Sequence, residues 1–150
     1  MTSEVIASAP GGSDAAGMDL DLDALVATMP FATTLGLTIS EASAEAVVGR
    51  MPWSEGLCTT GAIVHGGALM AMADSLGAVC AFLNLPPGAG TSTIESKTNF
   101  FRALREGDVT GTATPLHVGR TTIVVQTDLR DHRGKRVALV TQTQAVIGAT

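Results

Sequence analysis

A chain of 150 residues with 45% hydrophobic side chains has the size of one domain and the apolar content for a proper core, which excludes a disordered polypeptide. Its net charge of −5, the absence of Tyr and the lack of a basic stripe interleaved with aromatics exclude nucleic acid as a partner. The N-terminus carries Glu4 and no basic-then-apolar run, and Cys58 and Cys80 share no metal-ligand spacing, so a cytoplasmic protein with free thiols and neither metal nor cofactor is expected.

Residues 1–17, rich in Ala, Ser, Gly and Pro, read as a disordered tail whose glycines follow no strand and make no nucleotide loop, and residues 18–150 as one domain. Residues 19–29 predict a short amphipathic helix: Leu22, Leu25, Val26 and Met29 share a face, the early Asp residues suit the helix dipole, and Pro30 ends it. Residues 35–42 and 44–53 read as two strands turning near Ser43, and 54–64 as a loop leading to His65-Gly66-Gly67. From Gly66 to Leu83 the chain predicts a long helix, apolar at nearly every angle and therefore buried, ending near Asn84 before the loop at 86–90. This segment is barely long enough to cross a bilayer, carries Asp74 near its middle and is followed by strand-like sequence, so a membrane span is rejected. Residues 91–101, 108–117, 121–130 and 136–147 are strand candidates, with turns at 105–107 and 131–135. The expected architecture is α+β, one long central helix wrapped by an antiparallel sheet of five or six strands.

The charge is unevenly spread. Residues 1–100 hold only Arg50 and Lys97 against ten acidic side chains, whereas residues 101–150 hold seven basic ones (Arg102, Arg105, Arg120, Arg130, Arg133, Lys135, Arg136) against four acidic. A cationic C-terminal third on an acidic chain suits a small polyphosphate ligand, although such residues also commonly decorate exposed strand faces.

Asp74 is the one carboxylate of the long helix, with neither Lys nor Arg within a turn or two. A buried carboxylate without a cation is costly and is either satisfied by Ser or backbone donors, or by water at an interface, or is a catalytic group. The Gly66-Gly67 pair ahead of it opens the helix N-terminus, where unpaired N–H groups and the positive dipole end can receive a carbonyl oxygen, as acyl transfer requires; the pair also simply eases a tight turn. His65 reads equally as a hydrogen-bonding cap. Gly66 and Asp74 lie eight residues apart, about 12 Å along a helix axis. Groups acting on one carbonyl must each approach within roughly 3 Å, so the pair on one chain cannot share a substrate. Two such helices packed antiparallel about a two-fold axis bring Asp74 of one to Gly66 of the other, which makes a catalytic Asp74 require at least a homodimer with two shared sites.

The run His65-Gly66-Gly67-Ala68-Leu69-Met70-Ala71-Met72-Ala73-Asp74 resembles the helix motif of hotdog-fold acyl-CoA thioesterases, nearest to the group of the phenylacetate-pathway thioesterase and the Arthrobacter-type 4-hydroxybenzoyl-CoA thioesterase. The stretches Lys97-Thr98-Asn99-Phe100-Phe101-Arg102, Arg105-Glu106-Gly107-Asp108-Val109 and His117-Val118-Gly119-Arg120-Thr121-Thr122 resemble that group in order and spacing, so the likeness spans about residues 31–147. It implies hydrolysis of an acyl-CoA thioester, with Asp74 as nucleophile or as base for water, the Gly66 N–H (with Gly67) polarising the carbonyl, and His65 orienting the thioester. It implies coenzyme A phosphates and pantetheine near Arg102, Gly119, Arg120 and Thr121, and a homo-oligomer, a dimer or a tetramer built as a dimer of dimers. Where relatives carry Asn or Gln six residues before the His, this chain has Thr59, with Cys58 beside it; the resemblance implies that the polar helper is either missing or replaced by Thr59, Thr60 or Ser75, and Ala78 replaces the Thr of some relatives. Met70, Met72, Phe82 and Leu83 are candidates for an acyl pocket or for core packing. A hydratase would need His at Val79, and a non-catalytic acyl-CoA binder is the alternative from another class.

Overall fold

A computed structural model describes residues 20–148; the tail read into residues 1–17 lies outside them. Helix α1, Leu22–Ala27, is capped by Asp21, whose side chain accepts from the Ala24 N–H at 2.9 Å. Pro30 does more than end this helix. It is the first residue of a second short helix, α2, Pro30–Thr34, because its fixed φ and missing N–H suit a first turn. The chain then turns through Gly36 at φ +71° into β1, Thr38–Ala42, three residues later than the sequence pattern placed it. Ser43 closes the next turn, accepting at Oγ from the Glu45 and Ala46 N–H groups, and β2 runs Val47–Pro52.

The stretch expected as plain loop, 54–64, contains two single 3-10 turns, Glu55–Leu57 and Thr60–Ala62, and a two-residue ladder between β3, Cys58–Thr59, and β4, Ile63–Val64. Such elements are too short to show periodicity. Helix α3, Gly66–Phe82, follows, then β5, Gly90–Phe100, β6, Asp108–Val118, β7, Thr122–Asp131, and β8, Arg136–Ile147. One antiparallel sheet has the order β1-β2-β6-β7-β8-β5 and packs against α3, in agreement with the α+β expectation.

Leu69, Met72, Leu76, Val79 and Cys80 of α3 are buried in one cluster with Met51, Val109, Ile123, Val125, Leu129 and Val140 of the sheet. Burial pushes the Cys80 thiol up to about 11, so it is a small apolar filler at neutral pH. Close approach of α3 depends on Gly49 and Gly111, where a Cβ would lie 2.6 Å from Leu76 methyls. The helix is not buried all round. Met70 is exposed and Ala71, Asp74, Ser75 and Ala78 are half-buried, because one sheet covers only one side of it. Of the acyl-pocket candidates, Met72 is wholly in the core and Leu83 packs on it, while Phe82 is half-buried. Among the described residues no helix is long and apolar enough to cross a membrane.

Candidate active site

The tip of α3 is held from two directions. The His65 N–H donates to Leu57 O at 2.8 Å and the Val64 N–H to Leu104 O at 2.9 Å, fixing where the helix starts. His65 is the N-cap, and its Nδ1 accepts from the Gly67 N–H at 2.8 Å. The imidazole is thus a cap, as one of its two sequence readings held, and an accepting Nδ1 leaves the proton of the neutral ring on Nε2. The Gly67 N–H is consequently occupied. The Gly66 N–H has no acceptor among the described residues and is the donor left at the dipole end. Gly66 also gives room to a neighbour: a Cβ there would sit 3.0 Å from Cζ of Phe100.

In front of this tip lies a cleft of about 340 Å³ in which Gly66, Thr59, Phe100, Phe101 and Arg102 meet. A second cleft of about 370 Å³ shares Arg102, Ala103 and Leu104 with it and adds Arg105, Arg133 and Lys135, with Glu106, Asp131 and His132. Arg133 pairs with Glu106 at 3.2 Å, and Arg105 donates to Gly61 O at 2.5 Å. Asp131 is turned inward to the hairpin: the backbone N–H of Lys135, and then that of Arg133, hold its carboxyl below the usual range. Arg130 and Arg136 both engage Asp128 and lie outside the clefts.

Asp74 stands two turns along α3, half-buried, and its partners come from the sheet. Oδ1 accepts from Thr93 Oγ1 at 3.0 Å and from Gln142 Nε2 at 3.1 Å. Neither donor was among the sequence candidates, which looked for Ser or backbone partners. The signal was present, since period-2 alternation in β8 puts Gln142 and Gln144 on the same inward face as Val140, and both amides are buried. Ser75 is adjacent but its hydroxyl donates to Ala71 O at 2.9 Å, so it is tied to its own helix.

The structure brings Thr59 and Arg102 to Gly66, and keeps Gly119, Arg120 and Thr121 away. Those three form the β6–β7 turn, where the Val146 N–H donates to Thr121 O and Val146 pairs with Thr91 at the start of β5. Phe100, beside Gly66, is at the other end of β5, about 30 Å off at strand rise.

Comparison with known proteins agrees with this architecture. The thioesterase superfamily profile matches residues 61–138. The chain has a TM-score of 0.81 to the crystal structure of a thioesterase from Haemophilus influenzae, at 28% identity over 85% of this chain and 91% of that one. It reaches 0.81 also to a mutant thioesterase from Pseudomonas aeruginosa, at 29% identity over 87% and 96%. A Vibrio cholerae protein classed as an esterase is 40% identical over 84 residues, which is 56% of either chain. The chain belongs to the thioesterase superfamily and has its hotdog fold, in which α3 is the helix the sheet wraps. Its class is accordingly that of the hydrolases of thioesters.

Proposed function

We propose that the chain hydrolyses an acyl-CoA thioester to the free acid and coenzyme A, at sites shared between two copies, and that it falls with the phenylacetate-pathway and Arthrobacter-type group within the superfamily. The observation that carries this is the division of labour along α3. Among the described residues the Gly66 N–H is unengaged and faces an open cleft, and a carboxylate that none of them pairs with a cation stands about 12 Å further on, too far to serve the same carbonyl.

The strand β5 supports the pairing. Among the described residues it is an edge of the sheet, eleven residues long, with one row of backbone groups unpaired and with Ile94 and Phe100 exposed. A two-fold axis between Ser96 and Lys97 sets Thr93 of one copy opposite Phe100 of the other, which brings Asp74 level with Gly66 of the second copy. The same rotation carries the turn with Gly119, Arg120 and Thr121 from the far end of the sheet to the Arg102 cleft. Arg102 and Arg120 then flank one site, as a nucleotide with several phosphates needs, and Lys135, which lines the same cleft as Arg102, adds to that field.

In the reaction the thioester oxygen rests on the Gly66 N–H, where the dipole favours the developing negative charge. Asp74 attacks the carbonyl carbon, or takes a proton from a water that does. The C–S bond breaks, and the thiolate leaves with the electron pair and is protonated. Water completes the hydrolysis in the first case. Acyl-CoA is an intracellular substrate, which is why we assign the protein to the cytoplasm.

The test is thiol release from a panel of aliphatic and aromatic acyl-CoAs, for the wild type beside Asp74→Ala, with the mass of the assembly read by light scattering. Loss of about 100-fold or more in kcat in the variant, in an assembly of two or four chains, supports the scheme. Binding without release, equal in both proteins, would assign an acyl-CoA sensor instead, and an active monomer would rule out the shared site.

A further inference from the structure

We propose that Thr93 and Gln142 are positioning residues that fix Asp74 by its Oδ1, so that Oδ2 is the oxygen that reacts; this rests on the function proposed above. Both donors converge on one carboxylate oxygen, at 3.0 and 3.1 Å, and among the described residues nothing engages the other. An oxygen accepting two hydrogen bonds is the less available nucleophile or base, and the bare one is the more available.

Each donor is itself aimed. The Thr93 hydroxyl has one proton, and it accepts from Gln144 Nε2 at 2.8 Å, so that proton is left for Asp74. Gln144 is oriented in turn, its Oε1 accepting from the Thr91 hydroxyl at 3.1 Å. The pairing of β5 with β8 slips by one residue between Thr93 and Glu95, which makes Ile94 a bulge beside the hydroxyl. Gln142 is fully buried, and its Nε2 reaches both Oδ1 and, at 3.4 Å, the backbone oxygen of Asp74. Its own Oε1 is buried without a partner among the described residues. An orphaned carbonyl is costly, and the reversed amide would set lone pairs against the carboxylate of Asp74. The chain keeps the costly orientation, in which both contacts of Nε2 go to Asp74. Space for it comes from Gly77, where a Cβ would stand 2.4 Å from Oε1. None of these groups touches the substrate in the scheme. They act through Asp74 alone, whether Oδ2 bonds to the carbonyl carbon or takes the proton of the attacking water.

Thr93→Val, Thr93→Ser and Gln142→Leu test this in the full-length protein, with kcat and KM measured on the acyl-CoA that the wild type cleaves fastest. Thr93→Val and Gln142→Leu should lower kcat by about 10- to 100-fold, as misplacement by up to about 1 Å does, with KM within about two-fold, and Thr93→Ser should restore most of it. Exposed Thr93 keeps the test open if Gln142→Leu misfolds. A kcat within two-fold of wild type in Thr93→Val overturns the proposal, and so does a Ser variant no better than Val. A crystal structure of the wild type decides it apart from activity, since Oδ1 lying beyond hydrogen-bond distance of both donors refutes it even if no ester is cleaved. Absence of cleavage with the clamp intact counts instead against acyl-CoA hydrolysis.

Discussion

Replacing Gly66 by Pro removes one hydrogen-bond donor and almost nothing else. Gly66 is the first residue of α3, a position where Pro is favoured, and its N–H has no acceptor among the described residues to lose. His65 before it has φ −62° and ψ 135°, which is the region a residue preceding Pro must adopt. The new Cβ comes to 3.0 Å from the Phe100 ring, and that ring, 52% exposed, can swing aside. Stability should therefore stay within about 1 kcal/mol of wild type by urea unfolding. Loss of one oxyanion donor costs roughly 100- to 1,000-fold in kcat, about 3 to 4 kcal/mol. Mixing Gly66→Pro with Asp74→Ala, each inactive, should recover thiol release, because a mixed dimer holds one site in which both groups are intact. Gly66→Pro retaining kcat within two-fold, or a mixture as inactive as its parents after proven subunit exchange, would refute the assignment.

Two further perturbations report on the supporting structure. Gly→Ala inside a helix ordinarily stabilises by about 1 kcal/mol, but at Gly77 the added methyl would fall 2.4 to 2.8 Å from three atoms of the Gln142 amide. Displacing that buried amide from Asp74 costs about 1 to 3 kcal/mol, so Gly77→Ala should lower unfolding stability, and should raise it once Gln142→Ala has cleared the space. A stabilised single variant would disprove the packing argument. Asp128 binds Arg136 at 2.8 and 3.0 Å and Arg130 at 2.9 Å, and these contacts, Arg136 foremost, hold its carboxyl below the usual range. A depressed folded-state pKa stabilises above the unfolded value of about 3.9 and ceases to do so as pH falls through the folded value. Asp128→Asn should thus lower stability by about 1 kcal/mol at pH 7 and flatten its dependence below about pH 4; superimposable pH curves for both proteins would contradict this.

What could be seen in the sequence was what is encoded locally. The apolar run after His65 gave α3 to within a residue, and alternation gave β5 to β8 nearly to theirs. Pro30 misled because one residue type both stops a helix and starts one, and the ladder of Cys58 and Thr59 with Ile63 and Val64 was below the length at which a pattern exists. Gly66 and Asp74 stood out as candidates from the chemistry of a helix tip and a lone carboxylate. The partners of Asp74 were not, since Thr93 and Gln142 reach it from 19 and 68 residues away, and only register places them there. The burial of α3 on every face was wrongly expected for the same reason: how much of a helix a sheet covers depends on strand order.

Strand β5 has a consequence for how the protein comes into being. A newly finished copy leaves the ribosome with an extended, partly greasy rim of amide and carbonyl groups, a ready template for any passing unfolded chain. Under the proposed pairing, self-recognition is therefore a matter of solubility as well as of catalysis. On the shared-site scheme proposed above, a copy that meets no sibling at low abundance is both idle and adhesive, so dosage and synthesis rate then bear on survival of the protein before any substrate is encountered.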